Sequence, residues 1–543
     1  MALYLGFDLS TQSLTALAIE VSERGRAVVF ERSLDFDAEL PAYGTRHGVL
    51  PNDDPRVATA PPLLWAEALD RMMGLVAQSG LDLRRLRALS GSAQQHGSVW
   101  LGSTAAGAIA GLDAALPLTP QLSGIFARPD APVWMDTSTT PQCAEITAAL
   151  GGAAKAARLT GSRIFERFTG PQIRKGFVED PAMYRRTAVI HLVSSWAASL
   201  LAGARAPVEP GDGAGTALMD LARRVWAPAA LEATAPDLAA RLPALRDSET
   251  VVGPLAPYWR RRYGLPAARV VAWTGDNPSS LVGTGLVREG DVAISLGTSD
   301  TLFGPMDKPR TDPALAGSVF GSPAGAYLGL TCFRNGSLAR ERVRDAFGLD
   351  WAGFSDALAR TPPGNGGRLM LPWFEPEITP DVPAERVGAR PYGLDERDGP
   401  GVVRAVVEAQ MLALALHSRW MGVEAREIRA TGGAAANREI LQVMADVHGA
   451  PVRRLAVGNT ACLGAALRAW HADLAADGRQ VPWREIVAGF AESGEPAIRP
   501  RREHRRTYAR LARAYQACEE HALGTGKDPA PMLERLRKDL TGR

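Results

Sequence analysis

Cysteine is scarce and scattered: Cys143, Cys332, Cys462 and Cys518 stand far apart, with no CxxC pair and no Cys/His spacing. That excludes a zinc-ribbon type of site and a disulfide-stapled scaffold, and makes a reduced, cytoplasmic protein the expectation. Charge of one sign is not in excess either. Lys and Arg number 61 against 59 Asp and Glu, a formal net charge of +2, so electrostatics give no reason to expect a nucleic-acid or membrane partner. No uninterrupted apolar run is long enough to cross a bilayer. The apolar start is broken by Asp8 and lacks a basic lead, so it does not read as a signal peptide. Gly524-Thr525-Gly526-Lys527 lacks the leading glycine of a P-loop and has Asp528 where Ser or Thr is required. Gly211-Asp212-Gly213-Ala214-Gly215 does not fit the dinucleotide pattern. Both stretches read as flexible loops.

What is present is a chain of 543 residues, 46% apolar and 22% charged, which suits a folded protein of two or three domains. Residues 3–7 read as a buried strand, 8–12 as a polar turn and 14–21 as a returning strand, together a hairpin. Trp65, Leu69, Met72, Met73 and Val76 recur at helical spacing after Pro61-Pro62. A strand at 86–89 runs into the polar loop 90–97. The second half repeats the opening: a strand at 291–296, the turn Gly297-Thr298-Ser299-Asp300-Thr301, then another strand. Strands alternating with helices imply an α/β fold, and the two hairpins suggest a duplicated unit with a boundary near residue 285. Tyr508, Leu511, Tyr515 and Cys518 form an apolar stripe, so the arginine-dense segment 499–513 reads as a packed helix with a solvated basic face.

Phosphoryl transfer from ATP needs backbone N–H groups facing phosphates, carboxylates near a metal and a base for the attacking hydroxyl. Either hairpin turn is suited to the first task, and Asp8 to holding Mg²⁺; an ordinary turn uses the same residues. Asp276 follows the strand 270–273, where open α/β sheets bind ligands, and reads equally as a general base or as a helix N-cap. Gly432-Gly433 allows close approach of a nucleotide, or simply turns a strand into a helix. His96 lies in a polar loop rather than on an apolar face. Arg167 reads as a surface charge, the usual fate of an arginine.

Six segments in order carry a family resemblance: positions 90–98, Val133-Trp134-Met135-Asp136, 160–170, Thr274-Gly275-Asp276-Asn277-Pro278, 295–300 and Thr431-Gly432-Gly433. They resemble the FGGY carbohydrate kinases, and within them the xylulose kinase branch of the longer type found in animals. The resemblance runs from about residue 3 to residue 471. It implies an α/β fold of two ribonuclease H-like (actin-like ATPase) domains around a central cleft. Residues 1–285 would bind sugar, 286–472 would bind nucleotide, and 473–543 would form a helical appendage. It implies ATP-dependent phosphorylation of D-xylulose, with another ketose or polyol as the alternative and a non-enzymatic ATPase module as a more distant one. ATP and Mg²⁺ are the implied partners of the sugar, in a monomer or homodimer. By carry-over Gln95, His96, Arg167, Asp276 and Asn277 contact the sugar, with Asp276 as base and Trp134 lining the pocket. Thr11, Gly297, Thr298, Trp351, Gly432, Gly433 and Asn437 meet the nucleotide, and Asp8 the metal. The chain departs from many members at its first turn, with Ser10-Thr11 in place of Gly-Thr.

Overall fold

The computed structural model describes residues 1–23, 25–455, 458–490 and 496–542. The chain opens on β1 (Ala2–Leu9), paired antiparallel with β2 (Ser13–Ser22), which pairs with β3 (Gly25–Asp35). β1 also runs parallel to β4 (Leu86–Ala93). With β5 (Val251–Pro254) and β6 (Arg269–Val271) the sheet has the order β5-β6-β4-β1-β2-β3. A strand with neighbours on both sides and cover on both faces needs apolar residues throughout, and β1 is an almost unbroken apolar run up to Asp8.

The second sheet consists of β7 (Asp291–Leu296), β8 (Asp300–Met306), β9 (Ser318–Gly321), β10 (Tyr327–Phe333), β11 (Glu427–Thr431) and β12 (Val452–Arg454). Its order is β9-β10-β8-β7-β11-β12. Each sheet therefore centres on an antiparallel hairpin, β1/β2 or β7/β8, whose first strand has a parallel neighbour on its other side. The duplication lies in this topology. Both polar turns are shorter than expected, because β1 runs on through Asp8 to Leu9 and Asp300 begins β8.

The helix Pro62–Ala77 buries Trp65, Leu69, Met72, Met73 and Val76, as their spacing predicts. The segment Gly399–Met421 is long and apolar enough to cross a membrane, but 78% of its most apolar stretch is buried inside the fold. It serves as the core helix of the second half.

Packing is shared across the expected division at 472. The helix Thr460–Ala476 leaves the second sheet and crosses to the first, where Cys462, Leu463, Ala466, Leu467 and Trp470 join a cluster with Tyr4, Leu17, Ile19 and Val271. Small residues make this contact possible. A Cβ on Gly464 would fall 2.0 Å from the Ser279 carbonyl oxygen, and one on Gly283 would fall 1.8 Å from that of Thr460. The C-terminal segment is shared as well. Trp483, Ile486, Val487 and Phe490 stay with the first sheet, whereas Tyr508, Leu511, Tyr515, Cys518, Leu533 and Leu536 join the core of the second.

A correction concerns the segment read as a flexible glycine loop. Pro210–Ala214 is a short helix, buried at every position. It is wedged between the halves, since a Cβ on Gly321 of β9 would meet the Pro210 carbonyl oxygen at 2.8 Å.

Candidate active site

Asp8 is the penultimate residue of β1 and pairs with Ser92 of β4, and this register sets its surroundings. Its Oδ2 accepts from Ser10 Oγ at 2.6 Å and its Oδ1 from Ser92 Oγ at 2.7 Å. Burial pushes its pKa up, and the two hydroxyls oppose that shift. Thr11, in the turn, accepts a hydrogen bond from Trp134 Nε1 at 2.8 Å. Trp134 is 43% exposed and helps to line a pocket of about 320 Å³ with Met135, Thr137, Phe165, Glu166 and Arg167.

Asp276 is the first residue of the helix Asp276–Gly283. The N-cap position belongs to Gly275, so capping does not account for the carboxylate. Its Oδ1 accepts from Asn277 N at 2.8 Å and from Asn277 Nδ2 at 3.1 Å. Asn277 Nδ2 also donates to Gln95 Oε1 at 3.0 Å, and Gln95 Nε2 donates to Gly211 O at 3.4 Å. Asp276, Asn277 and Gln95 thus form one hydrogen-bonded row. Burial, then the neighbouring charge of Asp8, pushes the Asp276 carboxyl up to about 7.

His96 has φ +73°, a left-handed conformation uncommon outside glycine. It is held there by its side chain. Nδ1–H donates to Gly215 O at 2.7 Å, and the ring lies 4.7 Å from that of Phe168. Burial and the nearby Arg167 charge push its pKa down to about 3, so the ring is neutral and its Nε2 is left as an acceptor. Arg167 is half-buried, with its guanidinium 4.8 Å from the Phe165 ring centre and 5.8 Å from that of Phe168. The aromatic faces hold the cation without using its N–H donors. Cys332 of β10, in the second half, is one of its neighbours, so Arg167 sits where the halves face each other.

In the second half, Gly297 and Thr298 form the turn between β7 and β8, and Gly297 O accepts from Ser337 N at 2.8 Å. Behind the turn lies a buried framework that the sequence did not reveal. Arg340 donates to both Asp300 oxygens at 2.7 and 2.9 Å and to Gln410 Oε1 at 2.8 Å. Gly432, with φ +87°, leaves no room for a side chain, since a Cβ would fall 2.5 Å from Leu296 O. A Cβ on Gly433 would meet nothing within 4 Å. Asn437 caps the helix Arg438–His448 and donates to Ser355 Oγ at 2.7 Å in the helix Trp351–Arg360. Trp351 opens that helix, 43% exposed, with the Arg344 guanidinium 4.6 Å from its ring centre. The structure thus gathers two groups of the expected residues, Gln95, Asp276 and Asn277 with His96 in one half and Gly432, Gly433, Asn437 and Trp351 in the other.

Three buried ionisable residues beside the first group were missed. Glu209 accepts from Gly211 N at 2.8 Å and from Thr274 Oγ1. Asp212 accepts from Ser194 Oγ at 2.5 Å. Arg468, on the crossing helix, donates to Gly91 O at 3.0 Å and to Ala272 O at 2.5 Å. Glu209 and Asp212 lie three apart in a segment otherwise of small residues, which was the available signal.

Residues 129–283 match the N-terminal domain, and residues 292–472 the C-terminal domain, of the FGGY family of carbohydrate kinases. The chain is 42% identical to a xylulose kinase of Mus musculus, over 97% of this chain and 95% of that one. It is 39% identical to xylulose kinase 2 of Arabidopsis thaliana, over 91% of each. The fold resembles the crystal structure of a xylulose kinase from Rhodospirillum rubrum, with TM-score 0.79 and 19% identity over 96% of this chain and 99% of that one.

Proposed function

The chain belongs to the FGGY family of carbohydrate kinases, and from that premise we propose that it transfers the γ-phosphoryl group of ATP to D-xylulose, giving D-xylulose 5-phosphate and ADP. The observation that carries this reading is the row Gln95–Asn277–Asp276, which combines sugar-gripping amides with a carboxylate poised near neutrality. The choice of sugar is supported by the near-full-length relatives, which are themselves named xylulose kinases.

In this reading Gln95, Asn277, His96 Nε2 and the guanidinium donors of Arg167 orient the sugar hydroxyls. Asp276 takes the proton from the terminal hydroxyl as its oxygen attacks the γ-phosphorus, and the bond to ADP breaks. The open faces of Gly433 and Trp351 receive the nucleotide base, and the turn at Thr298 meets its phosphates. Asp8 suits a metal, because among the described residues its oxygens accept hydrogen bonds only from the hydroxyls of Ser10 and Ser92. A Mg²⁺ held there with ATP would offset charge on the phosphates. Thr11, whose oxygen already accepts from Trp134, keeps its own O–H as a donor toward phosphate.

Incubation with ATP and D-xylulose, followed by phosphorus–proton correlated NMR, tests the reaction. A phosphate on the C5 oxygen is expected. ADP formation that does not depend on any sugar would overturn the proposal in favour of a bare ATPase.

A further inference from the structure

Asp212 has no part in the reaction as described, yet it lies 1% exposed in the middle of the site. Its helix, Pro210–Ala214, touches the sugar residues through its main chain. Gly211 O accepts from Gln95 Nε2, and Gly215 O, just past the helix end, accepts from His96 Nδ1. The same helix abuts the start of the Asp276 helix, where a Cβ on Gly211 would fall 2.9 Å from Pro278 Cβ. Five residues cannot stabilise a helix by themselves, so its position must come from outside anchors. One is Glu209 on Gly211 N and Thr274. The other is Asp212, whose Oδ2 takes Ser194 Oγ from the helix Val193–Ala202 at 2.5 Å, while its Oδ1 is buried without a hydrogen-bond partner among the described residues.

We propose that Asp212 is a positioning residue for the sugar: its carboxyl, locked to Ser194, fixes the short helix whose Gly211 and Gly215 carbonyls hold Gln95 and His96 in the pose that meets the substrate. The sugar-kinase reading supplies the reason why those two poses matter. The charged and titratable groups around Asp212 are Glu209 ahead of it, Asp276 on the next helix and Arg468 on the crossing helix. Burial above all raises its pKa to about 8; Asp276 and Glu209 add to the shift, while Ser194 and Arg468 oppose it. The carboxyl is therefore neutral at pH 7, and a neutral amide of the same shape can replace it.

The test compares Asp212→Ala, Asp212→Asn and Ser194→Ala for KM of the sugar, KM of ATP and the ¹⁵N signals of the His96 imidazole. Asp212→Ala should raise the sugar KM by about tenfold, leave the ATP KM within about twofold and release His96 from its fixed Nδ1–H tautomer. Asp212→Asn should bring the sugar KM back to within about threefold of the unmodified protein. Ser194→Ala should shift the sugar KM in the same direction, less than additively with Asp212→Ala. If Asp212→Ala does not fold, Ser194→Ala carries the same test. Equal increases in both KM values, or an unchanged sugar KM and unchanged His96 tautomer in a folded Ala variant, would overturn the proposal. Should the unmodified protein phosphorylate no sugar, the kinase reading fails by itself, and the His96 tautomer still decides the role of Asp212.

Discussion

A carboxylate that begins a helix is favoured in its ionised form by the helix dipole, yet Asp276 is shifted the other way, to about 7. Burial and Asp8 outweigh the dipole and the two bonds from Asn277. The consequence for activity is definite in sign. The base must be ionised to accept a proton, so kcat/KM for the sugar should fall as the pH drops through about 7. Asp276→Asn keeps the shape and removes the acceptor, and should lower kcat by about 10²–10⁴-fold with ATP binding retained. Near wild-type kcat in that variant would remove Asp276 as the base. The same substitution should stabilise the fold. The folded-state pKa lies above the ordinary value of 3.8, so ionisation opposes folding in full above about pH 7 and not at all below the unfolded pKa. Thermal melts should therefore show Asp276→Asn above the parent at pH 8, with the gap narrowing toward pH 5.

Elements differ in how much of their placement is local. The two hairpins were legible because an apolar run, a Ser/Thr-bearing turn and a second run determine a hairpin by themselves, and the helix at 62–77 because its apolar residues repeat every three to four positions. The path of the helix Thr460–Ala476 was not legible, since its apolar face of alanine, leucine and cysteine would suit either sheet. What decides is the pair Gly283 and Gly464, and their mutual approach is a property of two distant segments. Gly464→Ala should cost about 1–3 kcal/mol or more, because the new Cβ meets backbone rather than a side chain that can move. A denaturant midpoint equal to that of the parent would contradict this packing. Pro210–Ala214 was misread because glycine lowers helix propensity, and only the tertiary anchors at Glu209 and Asp212 overcome it. The glycine pair at β11 separates into two roles that the sequence could not distinguish. Gly432→Ala should destabilise the protein, with its left-handed φ and the Leu296 oxygen in the way. Gly433→Asp has room to fold and should weaken ATP binding by charge repulsion while sparing sugar binding. Calorimetry giving an unchanged ATP affinity for the folded Asp variant would make Gly433 a turn residue only.

The whole molecule joins its halves at several points besides the crossing helix. Val319 N donates to Gly161 O at 3.0 Å, Ser248 Oγ to Pro323 O at 2.8 Å, and Arg224 to Gly325 O at 2.6 Å. Glu209 lines a groove of about 540 Å³ at this junction, and the short helix after it forms the floor beneath Gln95 and His96. The proposed sugar and nucleotide sites on the two halves would suit a kinase that reacts only when both are filled and water is shut out. The most direct test of the central claim is kcat/KM from ADP release with D-xylulose, ribulose, ribitol and glycerol, and with no sugar. The account predicts that D-xylulose is preferred over each of the others and that turnover without sugar is far lower. Glycerol or ribulose used as well as D-xylulose, or ADP released at the same rate without sugar, would contradict it.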